Sequence, residues 1–139
     1  MLATARQSQA TLGEAEGSVE IDRKALSAST RGVTPSGAFT VHAIETGSNL
    51  VREYVSPSGI VFGIAWNGLT HPDLSLLLGA YAAEYRDASL TVPREPGRRR
   101  HQVKTGRIVV EKWGHMRNLR GRAYVPSLMP AGVSFDEIK

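Results

Sequence analysis

Four histidines, His42, His71, His101 and His115, are the side chains of this chain best suited to acid–base or metal chemistry. None stands two, three or four residues from another, so no local stretch has zinc-ligand spacing, and a metal site would have to be assembled from distant segments. His42 alternates with Thr40 and Ile44, opposite Phe39 and Val41, and reads as a surface or half-buried strand residue. His71 reads as a helix-start residue and His101 as part of a basic loop. His115 is the one to watch, because it lies in a glycine-flanked turn, Gly114-His115-Met116-Arg117-Asn118, where a ring can be aimed at a ligand. With Arg117 and either Glu111 or Glu53 it would make a small enzymatic site, provided those side chains meet in one concavity. Glu53 and Glu111 fall on predicted strands and could face one another, the minimum for a carboxylate pair, but nothing sets their separation. There is no Gly-x-Ser-x-Gly elbow, no Gly-x-Gly-x-x-Gly after a strand and no phosphate-loop lysine, so neither a hydrolase nucleophile nor a cofactor is expected.

Charge offers a second chemistry. Arg94 to Arg122 holds ten basic residues against Glu95 and Glu111, a local balance of +8 in a chain of net charge +4, so the remainder is acidic. Such asymmetry marks either an anionic partner or a solvated loop and hairpin face. The residues expected to bind are Arg98, Arg99, Arg100, His115 and Arg117, and their partner would be an anionic polymer or a lipid surface. Of the aromatic residues only Trp113 lies within this basic stretch, with Tyr124 just beyond it, which argues against a stacking nucleic-acid binder.

The elements that must position these residues are organised around Phe39 to Arg86. Three apolar runs, Phe39–Glu45, Leu50–Ser56 and Ile60–Trp66, are separated by Gly47-Ser48-Asn49 and Ser56-Pro57-Ser58-Gly59, which predicts a three-stranded antiparallel meander. In the third run the large side chains take the even positions, so the even face is expected to be core. Leu74, Leu77, Leu78, Tyr81, Ala82 and Tyr85 then share one face of a predicted helix, Asp73–Arg86, with Pro72 at its first position, Thr70 or His71 as cap, and Gly79 inside it, where close approach of the sheet would be one reason for a glycine. Arg107–Trp113 and Arg120–Val125 predict a second hairpin, completing a sheet of about five strands in an α+β fold. Ser27 to Ala38 and Ala88 to Lys104 read as loops, the latter on account of Pro93, Pro96 and its like charges. Residues 1–17 read as a mobile arm, Ser18 as the cap of a short helix through Leu26, and residues 18–139 as a single α+β domain whose last residues are pinned by Val133, Phe135 and Ile138.

At 139 residues with no cysteine, the chain can bury its own core, and disulfides and thiolate sites are excluded. No apolar run reaches the roughly 18 residues of a membrane span. Met1 to Leu12 lacks the apolar core of a signal peptide, so the chain is either cytosolic or has had its export signal removed.

Three stretches carry a resemblance: Val51 to Phe62 (Val51-Arg52-Glu53-Tyr54-Val55-Ser56-Pro57-Ser58-Gly59-Ile60-Val61-Phe62), Gly114-His115-Met116-Arg117, and Gly121 to Val133. With Ala10-Thr11-Leu12-Gly13-Glu14 and Leu77-Leu78-Gly79-Ala80-Tyr81, they resemble a family of small exported bacterial proteins catalogued as domain of unknown function 2844. The resemblance covers nearly the whole chain. It implies a periplasmic or secreted location and a signal peptide, with Met1 to Gln9 as an added start or a trimmed leader. It brings no known activity, catalytic residue or cofactor. The resulting expectation is a non-enzymatic exported domain that binds an envelope protein or another ligand through an exposed sheet face, with the anionic-polymer and His115-enzyme readings beside it and the oligomeric state open.

Overall fold

The computed structural model describes residues 12–13, 29–36, 38–72, 74–91, 100–115 and 117–139. The meander appears as β2 (Phe39–Glu45), β3 (Asn49–Val55) and β4 (Val61–Gly68), and the second hairpin as β6 (Val109–His115) and β7 (Asn118–Tyr124). These five expected strands form the middle of an antiparallel sheet, flanked by two in segments whose composition predicts loops: β1 (Ser29–Ser36) beside β2, and β5 (His101–Lys104) beside β6. The order is β1-β2-β3-β4-β7-β6-β5, so the hairpin joins the meander through β4 and β7. Both additions are edge strands, where proline and charge are tolerated because one row of backbone groups needs no partner. The short helix expected after Ser18 lies outside the described residues.

The predicted helix is divided. α1 (Leu74–Leu78) passes through a 3₁₀ turn, Gly79–Tyr81, into α2 (Ala82–Thr91), which runs beyond the expected Arg86. Gly79 sits at φ 49, a left-handed value that breaks the ladder, and this backbone conformation accounts for a glycine here. Neither proposed cap has its side chain on the helix: Thr70 is engaged with Asn49 and Ser48, and His71 with Trp66. The apolar face is as expected, with Leu74, Leu77 and Leu78 buried and Tyr81, Ala82 and Tyr85 packed at the margin. Leu12, within the stretch read as an arm, is also in this core, its N–H donating to Leu77 O at 3.2 Å while Gly13 N–H donates to Val61 O at 2.8 Å. Glu84 of α2 accepts from Arg107 Nε at 2.6 Å and from Thr105 Oγ1 at 2.5 Å, tying the helix to the β5–β6 turn. Burial alone would raise the Glu84 pKa, but these two hydrogen bonds and the Arg107 charge hold it below the usual carboxylate value.

Both faces of β4 are buried, which explains an apolar run without strict alternation. Tyr54 pairs with Gly63 but Val55 with Val61, so Phe62 is the extra residue of a bulge. Val61, Ile64 and Trp66 therefore lie under the helices, while Phe62 and Ala65 turn to the opposite face. The expectation that all even positions share one core face fails at Phe62 for that reason. Each large side chain buried on either face contributes roughly 1.5–3 kcal/mol. The second face is closed by residues after β7, where Ile138 is fully buried and Met129, Val133 and Leu128 pack beside it.

Candidate anion-binding surface

The strand register lays out the face opposite the helices in rows. One row crosses Arg52 on β3, Ala65 on β4, Arg122 on β7, Glu111 on β6 and Gln102 on β5. At its centre is an ion pair: Arg122 Nε donates to Glu111 Oε2 at 2.7 Å, with both side chains under a tenth exposed. Glu111 Oε1 accepts from Gln102 Nε2 at 3.0 Å. Arg122 uses Nη1 on the carbonyls of Phe135 (3.1 Å) and Ile138 (3.5 Å). A buried arginine is tolerable when its remaining N–H groups find acceptors in this way. The segment Phe135–Lys139 thus lies across the sheet as a strap. Tyr54 Oη donates to Lys139 O at 2.7 Å and accepts from Lys139 N at 3.0 Å, and Arg52 Nε donates to the same carbonyl. Tyr124 stacks on Phe135, and burial, then the Glu111 charge, raise its phenol pKa, with Arg122 opposing.

The next row outward is left open by the strap. It runs through Asn67 on β4, Arg120 on β7 and Trp113 on β6. Arg120 is exposed and Trp113 half-buried. The guanidinium of Arg100, just before β5, lies 5.0 Å from the centre of the Trp113 ring, and that of Arg122 lies 5.5 Å from it. A ring with two guanidinium groups against it gathers cations at one spot and limits their motion, since each such contact stabilises by about 0.5–2 kcal/mol. His115 ends β6 opposite Asn118, and Arg117 follows in the two-residue loop at φ 69, an uncommon value for a side chain with a Cβ. All three are exposed. Planar guanidinium groups of this kind bind carboxylates, phosphates and sulfates through paired N–H donors.

Of the residues singled out from sequence, Arg100, His115 and Arg117 come to this one end of the sheet, and Arg98 and Arg99 lie outside the described residues. His115 is the last residue of a strand and not part of the turn. The carboxylates expected beside it are elsewhere: Glu111 is committed to Arg122, and Glu53 lies on the helix-covered face, in register with His42 and Ile64. Glu53 and Glu111 therefore stand on opposite faces with β4 and β7 between their strands, and they form no carboxylate pair. His71 accepts at Nδ1 from Trp66 Nε1–H (2.9 Å), and its pKa is lowered by burial and then by Lys112. Among the described residues no three or more histidine, aspartate or glutamate side chains are grouped to hold a metal. A groove of about 160 Å³ runs along the helices, lined by Leu74, Ser75, Ala82, Tyr85, Arg86 and Ser89. Sequence reasoning did not name Arg52, Arg120 or Arg122 as site residues. The alternation Arg120-Gly121-Arg122 facing Trp113 was the available signal, and it becomes readable only with the strand register.

The model of the family described as protein of unknown function (DUF2844) matches residues 8–138. No curated protein matches the chain. Among solved structures, that of a cysteine-rich secretory protein from Staphylococcus aureus subsp. aureus Mu50 is similar over 84% of this chain and 45% of that one, at a TM-score of 0.51 and 11% identity. The chain spans less than half the length of that protein, and the likeness is one of fold.

Proposed function

We propose, from the premise that the chain belongs to the DUF2844 family, that it is an exported, non-enzymatic binding domain that takes an anionic polymer of the cell envelope on the open end of the strap face. The observation that carries this reading is the convergence of Arg100 and Arg122 on Trp113, with Arg120 beside it on the adjacent strand and His115 and Arg117 at the same end. Among the described residues, Arg100, Arg117 and Arg120 have no carboxylate within ion-pair distance, so their charge is available to a ligand. Export is supported by the resemblance of the motifs to exported proteins, and the likeness in fold to a protein named as secretory is compatible with it. A non-enzymatic role fits a site whose histidine has no carboxylate to orient it among the described residues.

The test is retention on immobilised heparin across a salt gradient. The expected result is retention that falls steeply with salt, weakens in Arg120→Ala and weakens further when Arg98, Arg99 and Arg100 become alanine together. Weak retention, insensitive to salt and equal in all three proteins, would overturn the reading.

A further inference from the structure

We infer that the strap, Phe135–Lys139, is a positioning element of the binding surface, so that its docking and the binding of an anionic ligand reinforce one another. The inference rests on the anionic-polymer reading above. Arg122 belongs to both structures: its Nε is bound to Glu111 and its Nη1 to the strap carbonyls, while its Cζ lies 5.0 Å from the centre of the Phe135 ring and 5.5 Å from that of Trp113. Trp113 in turn carries Arg100, the inner end of the basic loop. The contacts therefore run unbroken from strap to Arg122 to Trp113 to Arg100.

Removing the strap would leave a nearly buried guanidinium without two acceptors and without one of its two aromatic neighbours. A buried donor left unsatisfied is costly, so Arg122 would turn toward water. Trp113 would then lose the group that holds its ring, and Arg100 its fixed seat. A ligand gains affinity when its receptor is already ordered, so release of the strap lowers affinity with no change in the charges that the ligand meets. Coupling of this kind is reciprocal, and a bound polymer must hold the strap down by the same factor.

Two features make the strap separable from the surface it serves. Ile138 anchors it by fitting over Gly63, where a Cβ would come within 2.8 Å of the Ile138 side chain. Tyr54 holds Lys139 through its hydroxyl alone. Neither anchor is cationic or belongs to the open row.

The experiment compares wild type, Ile138→Ala, Tyr54→Phe and Arg120→Ala in binding a heparin oligosaccharide, with amide exchange at Ile138 and Lys139 measured in the same samples. Both anchor variants are expected to bind about fivefold or more weakly, at the lower end of typical coupling, with the salt dependence of wild type. Arg120→Ala is expected to reduce the salt dependence itself. Saturating heparin should slow strap exchange in wild type by at least the factor that the weaker-binding anchor variant loses in affinity. Tyr54→Phe keeps the ring and guards against loss of fold in Ile138→Ala. Wild-type affinity in anchor variants whose strap amides exchange faster would overturn the inference and leave the binding reading intact. Failure of wild type to bind heparin would overturn the binding reading, and the inference with it.

Discussion

Trp66 shows how closely single residues are specified in this fold. Its ring lies on Gly121 of the neighbouring strand so tightly that a Cβ there would come within 2.1 Å of Cζ2. Gly121→Ala must push the ring off its seat, and overpacking of this kind costs about 1–3 kcal/mol. A urea titration of the variant should show a loss of that size, and unchanged stability would mean the ring has room to move. The same indole donates to His71 Nδ1, which must be unprotonated to accept. Burial, then Lys112, lowers the His71 pKa in the folded state. The unfolded chain therefore takes up a proton first as pH falls. The stabilisation is complete above the unfolded value of about 6.5 and is lost as pH drops from there toward the folded value. The expected result is a stability difference between wild type and His71→Gln that shrinks from pH 7.5 to pH 5, and a constant difference would remove His71 from the pH response. Sequence reading placed His71 at a helix start and could go no further, because its partner is set by a turn and Gly121 by a strand pairing.

At the scale of elements, periodicity was readable wherever one side chain pattern ran long enough to dominate. The meander and the second hairpin follow their apolar runs to within a few residues. β1 and β5 escaped because edge strands need little apolar pattern: β5 buries only Val103 among polar neighbours, and β1 contains Gly32 and Pro35. The Phe62 bulge was hidden because it is a property of two strands together. Gly79 separates the two readings of the helix by sign. In a continuous helix Gly79→Ala would stabilise by about 1 kcal/mol. At φ 49 an alanine instead meets the steric cost of a left-handed conformation, roughly 1–2 kcal/mol, and the variant should be less stable. Chemical denaturation decides between these opposite outcomes, and a more stable variant would argue for one unbroken helix.

Over the whole molecule, the basic excess from Arg94 to Arg122 overstates the charge that a ligand can reach. Folding assigns Arg122 to Glu111, Arg107 to Glu84 and the Tyr81 ring, and Lys112 to the Tyr85 ring on the helix side. Among the described residues of this stretch, Arg100, Arg117 and Arg120 are exposed at one end of the sheet, and a count along the chain could not separate these groups. Arg107 and Arg120 are both exposed, so replacing either by alanine changes net charge equally. If attraction followed net charge, the two variants would lose heparin affinity alike. If it follows the surface around Trp113, Arg120→Ala should lower the slope of log affinity against log salt by about one, the loss of one contact, by analogy with phosphate contacts. Arg107→Ala should leave that slope unchanged. Its cost should appear instead in stability, at about 0.2–1 kcal/mol for a largely exposed ion pair. Equal slopes in the two variants would assign binding to diffuse charge and remove the reason for two arginines to converge on Trp113.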